Sequence, residues 1–172
     1  DVFRQWLAAN AGLEFLADES PTVQLGVRYS FQDWMVEEWR REYPAEIEHL
    51  LGAFNAPAPI AMRVNALKTS RDACRERLKE EGIETECSPI SPVGLLARKR
   101  FNAASSPAFK EGWFEMQDEG SQIVSLLARP KPGSTVIDAC AGAGGKTLHL
   151  ADLMRNEGEI IAIDIDPKRT KE

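Results

Sequence analysis

Cysteine and histidine are scarce in this chain. Its 172 residues hold only Cys74, Cys87 and Cys140, with His49 and His149. No two cysteines form a Cys-x-x-Cys pair and no Cys/His cluster has metal-ligand spacing. Neither a disulfide scaffold nor a structural zinc site is therefore expected. No apolar run reaches the roughly 18 residues that a transmembrane helix needs, so no membrane association is expected. The opening residues, DVFRQWLAANAG, lack the basic stretch and apolar core of a signal peptide, and they lack an initial Met, which hints at a longer parent. A reducing, cytoplasmic setting is the expectation. An excess of positive charge is also missing: the formal net charge is −6, so the chain as a whole is no electrostatic sleeve for nucleic acid. Basic residues gather only locally, at Arg98-Lys99-Arg100 and at Lys168-Arg169 with Lys171.

What is present is an ordinary globular balance, 43% hydrophobic and 28% charged. Phe3, Trp6, Leu7, Leu13 and Leu16 follow a helical rhythm, and residues 18–21 read as a break. A helix capped by Asp33 should bury Met35, Val36 and Trp39, and Pro44 should interrupt it. Ile47, Leu50, Leu51 and Phe54 predict the next helix. After a proline-rich linker at residues 55–59, Ile60, Met62 and Val64 alternate with Ala61, Arg63 and Asn65, the pattern of a half-buried strand. Residues 69–72 resemble a capping box and open a helix over 71–81 that Gly82 stops, which places Cys74 on a surface helix. Short strands are expected at 83–87, 93–97 and 113–116, making a small α+β module. A helix from Asp118 should bury Ile123, Leu126 and Leu127.

The densest signal is Val136–Leu150, VIDACAGAGGKTLHL: an apolar strand, a glycine-rich loop and the start of a helix. A second apolar strand, residues 160–163, ends at Asp164. Strand, helix and strand in this order predict the beginning of a parallel, doubly wound sheet with a right-handed crossover. Such a layout sets backbone N–H groups at a helix start and a carboxylate at the next strand tip, which suits a nucleotide-like ligand. A P-loop would need glycine where Cys140 stands, and a dinucleotide-binding Gly-x-Gly-x-x-Gly loop would need it at Thr147. The spacing of Asp138, Gly142 and Gly144 instead fits an S-adenosylmethionine (SAM) loop, with Asp138 near the ligand's ammonium and Asp164 accepting from the ribose hydroxyls.

The stretch Asp138–Thr147 resembles the DxCAAPGGKT motif of the RNA cytosine-5 methyltransferases, the NOL1/NOP2/Sun family. Gly112–Ser121 (GWFEMQDEGS), Met62–Lys68 (MRVNALK), Arg28–Tyr43 and Asp164–Arg169 resemble further motifs of that family in order, and the bacterial Sun/Fmu-type enzymes acting on small-subunit (16S) ribosomal RNA are most similar. Gly142 and Ala143 depart from the family's Ala-Pro, which costs loop rigidity rather than chemistry. The resemblance implies an α/β fold: a Rossmann-like SAM-dependent methyltransferase sheet, begun here and preceded by a small α+β module and N-terminal helices. It implies three regions: 1–25, a link from an N-terminal helical domain; 26–117, an RNA-binding module; 118–172, the first part of the SAM-binding domain.

Carried over residue by residue, the resemblance implies that Asp138, Cys140, Ala141, Gly142, Ala143, Gly144, Gly145 and Lys146 line SAM, with Asp164 and Arg169 at its ribose end. Cys140 is expected to be a small buried hydrophobe rather than a nucleophile. Arg63, Lys68, Arg98, Lys99 and Arg100 are expected to meet RNA phosphates. In the family a cysteine thiolate adds to cytosine C6, C5 then attacks the SAM methyl, and a second cysteine assists release. Neither Cys74 nor Cys87 lies in a matching motif, so the chain is expected to be an N-terminal fragment of such an enzyme, inactive alone. Two other readings are a SAM methyltransferase with a non-RNA substrate and a noncatalytic RNA-binding module.

Overall fold

The computed structural model describes residues 19–166, 168 and 169. The helical rhythm expected over residues 1–17 lies outside them, as does Lys171. By packing, the chain divides into two units, Asp1–Ala58 and Pro59–Glu172.

The first unit is built from three helices, α1 (Pro21–Tyr29), α2 (Asp33–Glu42) and α3 (Ile47–Asn55). Helix α1 corrects the expected break at residues 18–21. Ser20 caps it, its Oγ accepting from Val23 N at 3.3 Å, and Pro21 takes the first helical position, where its missing N–H costs nothing. Asp33 does not cap α2; it is the first helical residue, and the capping position belongs to Gln32. Leu25, Val36, Ile47 and Leu51 form the core, with Tyr29, Phe31 and Trp39 packed against them. Phe31 meets Trp39 edge to face, ring centroids 5.3 Å apart.

The second unit begins with β1 (Ile60–Val64), α4 (Arg71–Glu80), β2 (Thr85–Cys87), β3 (Gly94–Ala97), a 3-10 turn (Ala103–Ser105), α5 (Pro107–Lys110) and β4 (Phe114–Met116). The strands form one antiparallel sheet in the order β2-β3-β1-β4, the arrangement of a ferredoxin-like β-α-β-β-α-β unit. Ser70 caps α4 through a bond from Ala73 N at 3.2 Å, and Gly82, at φ +77°, ends it. Met62, Val64, Cys74, Leu78, Leu95, Ala108 and Phe114 make the core on one face of the sheet. Cys74 is thus wholly buried, not on a surface, and burial beside Glu81 pushes its thiol up to about 11.

Strand β1 is not half-buried as expected. Ala61 and Arg63 are enclosed as well, because a second layer covers the other face of the sheet. That layer contains α6 (Glu119–Ala128) and α7 (Gly145–Leu153), which accompany the parallel strands β5 (Ser134–Asp138) and β6 (Gly158–Ala162). Helix α6 buries Gln122 and Ser125, whereas Leu127, expected inside, is 71% exposed. Gln122 is what the sheet needs: its Nε2 donates to the carbonyls of Met62 and Gln117, and its Oε1 accepts from Ser91 Oγ at 2.6 Å.

Candidate functional site

Strands β5 and β6 pair in register from Ser134↔Gly158 to Asp138↔Ala162, which brings both C-terminal tips to the same edge. The loop after β5 is tied to the tip of β6 by two bonds, Ile163 N to Asp138 O at 2.8 Å and Ala141 N to Ile163 O at 2.9 Å. Two glycines make the turn possible. Gly142 and Gly144 adopt φ +55° and +85°, and a Cβ on either would point into open space. The loop therefore presents bare backbone to its outer side.

Two carboxylates bracket the loop. Asp138 accepts from Cys140 N at 3.3 Å and from Thr147 Oγ1 at 2.7 Å. Asp164 accepts from Gly142 N at 2.8 Å and from Asp166 N at 2.9 Å. The N–H groups of Asp166 and Gly142, with Arg169 nearby, hold the Asp164 carboxyl below its ordinary value. Each carboxylate oxygen keeps a free lone pair for a ligand. Helix α7 starts without a side-chain cap, since Gly144 occupies that position, and it has no acidic residue in its first turn. Among the described residues its first N–H groups have no partner, which leaves them to meet an electronegative group.

All the residues expected at the cofactor lie in this one constellation, from Asp138 through Lys146 to Asp164 and Arg169. One expectation about them is corrected: Cys140 is exposed, not buried. Lys146 is exposed too, and Arg169 reaches Asp166 at 3.8 Å.

The residues expected at RNA are not brought together. Arg98, Lys99 and Arg100 are exposed just after β3, and Arg98 loosely pairs with Glu84 at 3.9 Å. Ala97 pairs with Ile60, while Gln117 N donates to the neighbouring Ala61 O, so the basic stretch and the segment entering α6 lie toward the same end of β1. Lys68 is exposed on the loop after β1, where its Nζ donates to Glu111 O.

Arg63 is no surface cation, which corrects the expectation of a phosphate contact there. It is 2% exposed; its Nε donates to Gln117 Oε1 at 2.7 Å and its Nη1 lies 3.5 Å from Asp152 Oδ2. Burial lowers its pKa, opposed by the Asp152 and Glu115 carboxylates. Asp152 also accepts from Ala66 N at 3.0 Å. His149, one turn before Asp152, is 1% exposed, and neither ring nitrogen finds a partner among the described residues. Burial, with Arg63 beside it, drives its pKa down to about 4. The sequence signal for this interior was the conjunction of MRVN with MQDEGS. The partners lie far apart in the chain, and no local periodicity reports them.

Comparison with known families places two matches on this framework. Residues 31–104 match the "Methyltr_RsmF/B-like, ferredoxin-like domain" and residues 125–172 match "16S rRNA methyltransferase RsmB/F". A probable ribosomal RNA small subunit methyltransferase B of Synechocystis sp. is 39% identical over 144 residues, covering 83% of this chain and 32% of that protein. The corresponding probable methyltransferase of Bacillus subtilis is 33% identical over 158 residues, covering 91% of this chain and 35% of that protein. The solved structure of a methyltransferase homolog protein from Pyrococcus horikoshii superposes with a TM-score of 0.78 at 30% identity, covering 88% of this chain and 50% of that one. The chain thus spans about a third of the length of these curated relatives. From its ferredoxin-like sheet through its glycine-rich loop, the chain belongs to the RsmB/F family of 16S rRNA methyltransferases.

Proposed function

We propose that this chain supplies the SAM-binding loop and part of the RNA-facing surface of a cytoplasmic enzyme that methylates C5 of cytosine in small-subunit ribosomal RNA. The observation that carries the reading is the loop itself: open backbone at Gly142 and Gly144, an uncapped helix start, and Asp164 held at the tip of β6 by Gly142 N. SAM fits this donor set, for it joins an amino-acid end to a ribose with two hydroxyls and carries no phosphate. Bound there, it supplies an electrophilic methyl on its sulfonium. The loop Cys140–Lys146 would line it, Asp138 would face its ammonium, and Asp164, with Arg169 alongside, would hold its ribose. Irradiating the chain with tritiated SAM should place label within residues 134–166. Label elsewhere, or label displaced by ATP, would overturn the assignment.

By role we assign residues 26–117 to the RNA-facing part, residues 118–172 to the methyltransferase part and residues 1–25 to a link. Arg98, Lys99 and Arg100 are the exposed cations best placed for phosphate, with Lys68 as a lesser contact. Replacing Arg98, Lys99 and Arg100 by alanine should weaken RNA binding across sequences and flatten its salt dependence. An unchanged salt slope would exclude them. The choice of C5 of cytosine rests on the motif resemblance. Small-subunit ribosomal RNA from cells lacking the gene should lose a 5-methylcytidine; loss of a different methylated nucleoside, or of none, would contradict it.

A further inference from the structure

The cofactor reading leaves one buried side chain at the loop unexplained. Gln117 is 8% exposed and stands between β4 and α6. Its backbone is fixed at both ends, N donating to Ala61 O at 3.2 Å and O accepting from Gln122 Nε2 at 3.0 Å. Its side-chain oxygen accepts from Arg63 Nε at 2.7 Å. A guanidinium has no acceptor, so it dictates which way the amide faces: oxygen toward Arg63, nitrogen away. That nitrogen lies 3.7 Å from where a Cβ on Gly145 would stand, and among the described residues it has no hydrogen-bond partner.

Gly145 is the first residue of α7, whose N-terminus has no side-chain cap. The two N–H donors of this nine-tenths-buried side chain therefore stand beside an uncapped helix start, both favouring a negative group. Thr147, in the same first turn, is bonded to Asp138, which places a carboxylate at this end of the helix. Donors and a carboxylate together match a zwitterion better than a phosphate, whose second charge Asp138 would repel.

We propose that Gln117 is a ligand-binding residue that donates to the α-carboxylate of the cofactor's amino-acid end at the start of α7, and that Arg63 is its positioning residue. This rests on the SAM reading and adds to it a side chain from outside the glycine-rich loop. Arg63, expected from the sequence to meet RNA, acts instead through Gln117 on the cofactor side.

The test compares S-adenosylhomocysteine with 5′-methylthioadenosine, a nucleoside thioether without the amino-acid end, by calorimetric titration of the full chain. Gln117→Met keeps length and shape. It should weaken S-adenosylhomocysteine roughly tenfold or more, the scale of a lost hydrogen bond to a charged group, and leave 5′-methylthioadenosine unchanged. Arg63→Met should do the same, and Arg63→Lys should restore part of the discrimination because lysine still donates to Oε1. Equal losses for both ligands would mean a merely structural role and would overturn the proposal, as would no loss. A wild-type chain that takes neither nucleoside would sink the SAM reading. Methionine titrated against the Gln117 side-chain and Gly145 backbone amide resonances then decides the subsite by itself. Shifts at both would support it; silence at both would overturn it.

Discussion

The two sheets of the second unit differ in how they are covered. In the antiparallel sheet the core face is enclosed: Met62 and Leu95 on the central strands and Phe114 on the edge strand β4 are wholly buried, and even the charged Arg63 is inside. In the parallel pair β5/β6 the outward side chains stay open, with Ile137 63% and Ile161 42% exposed. The first sheet carries its own apolar core; the second is organised at its tips, where Gly142, Asp138 and Asp164 meet. In this chain the apolar core lies on the first sheet and the proposed ligand site at the tips of the second, and the layer between them, Arg63, Gln117, Gln122 and Asp152, is polar. Polar contacts fix direction in a way that apolar packing does not.

The contrast is broken most severely at Phe114. Phe114→Ala should cost about 3–5 kcal/mol, the usual price of truncating a buried aromatic, measured as a lowered denaturation midpoint. Asp152→Ala comes next. It leaves Arg63 buried without its carboxylate and Ala66 N without its acceptor, and should cost about 3 kcal/mol. Asp152→Asn keeps an acceptor for Ala66 N and should be milder, which separates the two contributions.

A smaller effect is expected on acidification. His149 titrates at about 4 when folded against 6.5 when free, so the unfolded chain takes up the proton first. The contribution of neutral His149 to stability is complete above about pH 6.5 and is lost as pH drops toward 4. His149→Gln should flatten that part of the pH–stability profile, and an unaltered slope would show that His149 is not its source. The smallest change belongs to the open sheet: Ile137→Thr should shift stability by no more than about 0.5 kcal/mol. A loss comparable to that of Phe114→Ala would erase the distinction between the two sheets.

The fold was legible where periodicity is local. Helix α4, strands β2 to β4 and the parallel pair emerge within a few residues of their expected ends. Helix α1 was hidden because Ser20-Pro21, read as a break, is equally a helix start. Helix α4 looked like surface because only Cys74 and Leu78 mark its inner face among many charges, yet both are wholly buried. Strand alternation sent Arg63 outward, since nothing nearby announces the layer that covers it. Its partners, Gln117 and Asp152, lie 54 and 89 residues away. At the loop the same limit holds in milder form. The glycines and both aspartates were readable from spacing, while the exposure of Cys140 depends on how the turn is pinned to β6.

The central claim is that the loop after β5 is a SAM site, and calorimetric titration of the chain with S-adenosylhomocysteine, with Mg-ATP as control, tests it most directly. The account predicts saturable binding of S-adenosylhomocysteine, abolished by Asp164→Ala, and no heat from Mg-ATP beyond dilution. Saturable binding of Mg-ATP, or S-adenosylhomocysteine binding that survives Asp164→Ala undiminished, would contradict it.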